Sequence, residues 1–189
     1  MPKAIALAIL TFAASGAAST VEGQLSFGVQ ASRAQRSDFG IGPRLLVDLG
    51  SVDAGVRLIG SFEVYFPDES EFQDFIDRFD IGNTMVEATV DYWEANANLV
   101  YTFEFPAVPL TPYFGGGVNI ARLEIADSSA GLLDTTQTKA GVNVLAGVEF
   151  ALAGIAPFLE FRYRFASRPF EAAVDYLGSQ WVVTSGIIF

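Results

Sequence analysis

The sequence contains no cysteine and no histidine. The first absence removes disulfides, thiolate metal sites and cysteine nucleophiles. The second removes the commonest general base and metal ligand, and with them every Ser-His or Cys-His mechanism. Charge is also scarce: 17% of the 189 residues are charged, where a soluble domain carries about a quarter. Lysine is confined to Lys3 and Lys139. The 11 basic residues stand against 22 acidic ones, a formal net charge of -11, which argues against nucleic acid because phosphates must be met by clustered Lys and Arg. What the chain does have is hydrophobic bulk, 51% of its residues, with 18 glycines and 17 phenylalanines.

The N-terminus reads as an address. Lys3 precedes an uncharged apolar run from Ala4 to Ala14, followed by the small residues Ser15, Gly16, Ala17, Ala18 and Ser19. Charge, short greasy core and small-residue exit are the parts of a secretory signal peptide, and the run is shorter than the roughly 20 apolar residues a spanning helix needs. Residues 1–23 are therefore expected to be a signal peptide, with cleavage between 18 and 23, and residues 24–189 a single domain.

The remainder alternates with a period of two, which is strand grammar. Trp93, Ala95, Ala97, Leu99, Tyr101, Phe103 and Phe105 form a wholly apolar face, while Tyr92, Glu94, Asn96, Asn98, Val100, Thr102 and Glu104 fall on the other. The same parity separates Leu159, Phe161, Tyr163 and Phe165 from Phe158, Glu160, Arg162 and Arg164. Eight such segments are expected, near 24–34, 38–49, 52–66, 86–105, 111–125, 139–152, 156–166 and 176–189. The connections at 50–51, 106–110 and 153–155 are short; those at 67–85, 126–138 and 167–175 are longer and acidic. Only the connection at 35–37 departs from that alternation. An even number of antiparallel strands with short turns at one end and long loops at the other is the layout of an eight-stranded, up-and-down transmembrane β-barrel, an all-β fold.

Period two does not say which face is outside, since a soluble lipocalin-like binder alternates in the same way. Charge chemistry separates the two. A soluble exterior would be rich in Lys and Glu, whereas this polar face is Gly, Asn, Ser and Thr with a few charges of both signs. That suits a narrow lumen filled by side chains. An enclosed ion-pair network is expected, with Arg44, Arg57, Arg162 and Arg164 matched to Glu63, Glu94, Glu104, Glu149 and Glu160, because buried charges must be paired. The aromatics divide between the two rims. Phe103, Phe105, Phe114, Phe150 and Phe189 fall at the short-turn end, and Phe39, Phe62, Phe66, Trp93, Tyr163, Phe165 and Trp181 at the other, as two membrane interfaces require.

The ending from Trp181 to Phe189, with Trp181, Val183 and Ile187 on the same face as a terminal Phe189, resembles the closing strand of bacterial outer-membrane barrels. Ser185 interrupts its apolar face, and Thr184 stands where that pattern often has Gly. By layout the whole mature chain is similar to the small eight-stranded OmpA/OmpX and opacity-type barrels. The resemblance implies a Gram-negative type outer membrane, a lipid bilayer and lipopolysaccharide as surroundings, and outer-membrane assembly machinery that reads Trp181, Val183, Ile187 and Phe189.

No cofactor or metal motif is present. Gly115-Gly116-Gly117 lacks the following Lys-Ser/Thr of a phosphate loop and lies in a strand, where glycine permits bending or close packing. Glu94 and Glu104, ten residues apart on one segment, would sit about 33 Å apart, too far for a shared acid-base role. Barrel enzymes that modify lipid A rely on histidine, which this chain lacks. The acidic loop holding Asp68, Glu69, Glu71, Asp74, Asp77 and Asp80 has Phe72, Phe75, Ile76 and Phe79 at helical spacing and a Ser70/Gln73 capping pattern. A short rim helix is expected there, as a solvated cover, a partner contact or a weak divalent-ion bridge to lipopolysaccharide phosphates. The chain thus reads as a non-enzymatic outer-membrane barrel for envelope integrity or surface interaction. A narrow channel or carrier for small solutes and a soluble periplasmic lipocalin-like binding protein are the alternatives of different classes.

Overall fold

The structure is a computed structural model, which describes residues 25–35, 39–50, 55–66, 88–105, 107–127, 135–166 and 179–189. The expected signal peptide and the acidic loop at 68–80 lie outside the described residues. The strands are β1 (Leu25–Ala34), β2 (Phe39–Asp48), β3 (Val56–Phe66), β4 (Ala88–Thr102), β5 (Leu110–Asp127), β6 (Thr135–Phe150), β7 (Ala156–Ala166) and β8 (Gln180–Ile188). Each pairs antiparallel with its chain neighbours, and β1 pairs with β8, closing an eight-stranded barrel. Closure satisfies every strand edge within the wall, which an open sheet cannot do.

A tight turn joins β6 to β7. Between β6 and β7 the amide of Leu152 donates to the Ile155 carbonyl at 3.0 Å and the amide of Ile155 returns to Leu152 at 3.3 Å. Gly154 holds φ 83 in that turn, a left-handed backbone that residues with a β-carbon rarely adopt. Both chain ends of the barrel lie here too, since the Phe189 amide donates to the Phe27 carbonyl at 2.7 Å.

Side-chain parity decides what each wall face meets. Leu99 is 52%, Phe161 47% and Val183 44% exposed on the outside, whereas Glu94, Arg162 and Asn143 are enclosed at 0%, 1% and 2%. A soluble barrel requires the reverse. Outward positions below the loop-end rim are apolar on all eight strands, with Ser185 the one polar exception among the described residues. Trp93 and Phe103 stand at its two borders, separated by about 25 Å at ordinary strand rise and tilt, the height of a bilayer-matched band. The aromatics cluster there as well: Phe161 stacks on Trp181 at 4.6 Å and Phe62 lies 5.5 Å from Trp93 near one border, while Phe103 stacks on Phe114 at 5.6 Å near the other.

Several boundaries differ from the expected segments; β3, for one, begins at Val56 rather than 52, after Gly55 at φ 100. β6 begins at Thr135 rather than 139, and β5 continues to Asp127. The threonines at 135, 136 and 138 are polar on both faces and carry no period-two signal, yet β-branched residues suit a strand. β4 stops at Thr102: the Phe103 amide still donates to the Pro112 carbonyl at 2.9 Å, in register with the β4–β5 ladder, but Pro112 has no amide proton to return and the ladder ends there.

A side-chain-filled lumen as the candidate functional site

Inward positions carry the polar chemistry. β7 contributes Glu160, Arg162 and Arg164 on successive inward steps, all buried. Because β3 lies four strands from β7 in the closed sheet, Arg162 spans the lumen to reach Glu63 at 2.9 Å and Glu94 at 3.8 Å. Arg164 pairs with Glu94 and also donates to the Tyr92 hydroxyl. Tyr92 in turn donates to Glu94 at 3.2 Å.

Neutral groups add hydrogen bonds around Glu63. Ser32 donates to Glu63 and lies 2.8 Å from the Thr184 hydroxyl. Asn96 donates to Glu63 at 3.1 Å, and Asn143 donates to Asn96 at 3.0 Å. One level down, Arg44 meets Glu160 at 2.7 Å, Gln30 at 3.3 Å and Tyr113 at 3.2 Å, and Tyr113 donates to Glu160 at 3.0 Å. The Arg44 guanidinium also lies 4.2 Å from the centre of the Phe158 ring, a cation-π distance. At the turn-end mouth, Arg57 donates to both oxygens of Glu149, at 3.0 and 2.8 Å, with Asp48 3.9 Å away. Every strand therefore places at least one group in the polar lumen.

Apolar layers close the polar section from both ends. Leu46, Ile59, Val100, Tyr113, Leu145, Phe158 and Ile188 pack together toward the turn end. Ala34, Tyr65, Tyr92, Ala121, Leu123 and Val182 pack toward the loop end. Room for the asparagines comes from glycine: a β-carbon at Gly117 would lie 2.0 Å from the Ala97 carbonyl and 2.5 Å from the Asn98 side-chain oxygen. Gly115 and Gly116 leave no room for a β-carbon either, against the backbone carbonyls of Leu99 at 2.1 Å and Asn143 at 2.8 Å.

Of the residues expected in the network, Arg44, Arg57, Glu63, Glu94, Glu149, Glu160, Arg162 and Arg164 come together in the lumen. Glu104 does not. It is exposed beyond the end of β4, because the chain has left the strand before the inward parity reaches it. Ser32, Gln30, Tyr113, Asp48 and Thr184 were not anticipated as partners. They share the inward parity, which was the available signal, but period two does not say which inward groups meet across a lumen. Trp181, Val183, Ile187 and Phe189 all point outward along β8.

No family model matches the sequence, and no curated protein does. Solved structures do. The N-terminal β-barrel domain of Pseudomonas aeruginosa OprF is 16% identical with a TM-score of 0.57, covering 88% of this chain and 98% of that one. Neisserial surface protein A is 17% identical with a TM-score of 0.55, covering 87% and 94%. This chain has the small eight-stranded outer-membrane barrel fold. A major outer membrane protein of Thermus thermophilus, at 12% identity and a TM-score of 0.51, covers 88% of this chain and 99% of its own. At such identities the outer-membrane barrel likeness is one of fold, and the lumen chemistry described above belongs to this chain.

Proposed function

We propose that the chain is an integral outer-membrane barrel without enzymatic activity, exported by residues 1–23, and serving envelope integrity or surface interaction. The observation that carries this reading is the inverted polarity of the wall: hydrocarbon side chains outside, matched ion pairs enclosed. An apolar belt of bilayer height needs lipid as its solvent. The lumen favours a rigid scaffold over a solute channel, because its cross-section is filled by charged side chains that neutralise one another between apolar layers. Its assembly partner would be the machinery that reads the closing strand, through Trp181, Val183, Ile187 and Phe189. Lipopolysaccharide would be its neighbour at the loop end, and the acidic residues Asp68, Glu69, Glu71, Asp74, Asp77 and Asp80 would face outward from that leaflet.

Membrane fractionation followed by electrophoresis of unheated and boiled samples tests the reading. A folded barrel stays with the membrane fraction and migrates differently before boiling. A soluble protein with one mobility would overturn it. Deletion of residues 68–80 tests the role, since loss of a binding phenotype with folding intact assigns surface contact to that loop.

A further inference from the structure

The lipid-facing wall carries charge at one level only. Among the described strand residues, the outward charged side chains are Arg33 on β1, Asp91 on β4, and Arg122 and Glu124 on β5, all at the loop-end rim. They are segregated. Arg122 pairs with Glu124 at 3.2 Å, and Asp91 stands opposite Glu124 in register, so that wall holds a surplus of negative charge. Arg33 lies on the opposite side of the barrel, four strands from β5. Its cross-strand neighbours are Phe39 and Val183, and no described carboxylate pairs with it.

A guanidinium in that position has a restricted choice of surroundings. Below it lies the apolar band, where an unpaired charge is costly. Its aliphatic stem can rest along Phe39 and Val183 while the head reaches the interface. At that depth the abundant anions are lipid phosphates, whose geometry a guanidinium matches bidentately. Among the described outward charges the β4–β5 wall is net negative and Arg33 is the cation without a carboxylate beside it, so Arg33 marks where an anionic headgroup can settle.

We infer that Arg33 binds a phosphate group of an outer-leaflet glycolipid, holding that lipid against the β8–β1–β2 wall. The inference rests on the outer-membrane reading above, which makes the loop end the outer leaflet.

Native mass spectrometry of the folded whole barrel, released from detergent after incubation with lipid A, phosphatidylglycerol or phosphatidylcholine, tests it. The wild type retains lipid A in preference to both phospholipids. Arg33→Gln weakens that retention about tenfold, as expected for loss of a charge-assisted contact, while Arg122→Gln leaves it unchanged. Equal retention by Arg33→Gln overturns the site. Phosphatidylglycerol held as well as lipid A overturns the glycolipid assignment. Absence of heat-modifiable mobility in the same wild-type sample would instead overturn the barrel reading beneath it.

Discussion

Glu63 and Glu94 stand directly opposite each other on β3 and β4, and one guanidinium from the far wall, Arg162, reaches both, at 2.9 and 3.8 Å. Two like charges in adjacent cross-strand positions repel. Arg162 and Arg164 convert that repulsion into a strut across the lumen. Removing one member of a buried set leaves an uncompensated charge, which costs about 3–5 kcal/mol, whereas replacing a whole pair by apolar groups can be nearly neutral.

Arg162→Met alone should therefore lower unfolding stability by about 3–5 kcal/mol, read from urea titrations in lipid vesicles. The double variant Arg162→Met with Glu63→Leu should recover much of the loss. Equal loss in the double and single variants would mean that the pair is not a coupled unit.

Glycine at 117 is required by distance. Gly117→Val should abolish the fast-migrating folded form, because any β-carbon there meets the Ala97 carbonyl at 2.0 Å. Gly60 provides the contrast. A β-carbon at that position lies no nearer than 3.9 Å to Leu45, so Gly60→Ala should fold normally under the same electrophoretic assay.

The filled lumen predicts low permeability. Vesicles carrying the wild-type barrel should swell in small sugars no faster than protein-free vesicles, and planar bilayers should show no stable, sizeable conductance. Steady channels from the wild-type protein would contradict the stacked layers formed by Ile59, Arg44, Arg162 and Tyr92.

How far the architecture was legible depended on contrast between the two faces. β4 and β7 were plain, because Leu99 and Phe161 alternate with Asn98 and Arg162 and so differ in kind from their neighbours. The start of β6 was not, since its threonines look alike from either side. Glu104 shows the opposite error: parity extrapolates indefinitely, while the strand ends at Thr102, where Pro112 on the neighbouring strand has no amide proton to continue the ladder. The arginine and glutamate partners followed from the need to match buried charge. The contact of Ser32 with Glu63 did not, because it depends on the stagger with which the sheet closes.

Depth should grade the cost of a charge on the outer wall. Leu99→Arg, near mid-band, should lose about 2–4 kcal/mol of stability in vesicles, whereas Asp91→Arg at the rim should cost about 0–1 kcal/mol. Similar costs at the two sites would mean that the outer wall is not in hydrocarbon.

The absence of native cysteine makes the most direct test a clean one: single cysteines placed at Leu99, Phe161, Val183 and Asn143, each carrying a nitroxide label, in the folded protein reconstituted in vesicles. The account predicts that labels at 99, 161 and 183 collide freely with dissolved oxygen and are shielded from a water-soluble nickel chelate, while a label at 143 is shielded from both. Nickel accessibility at 143 with oxygen-shielded labels at 99, 161 and 183 would contradict it.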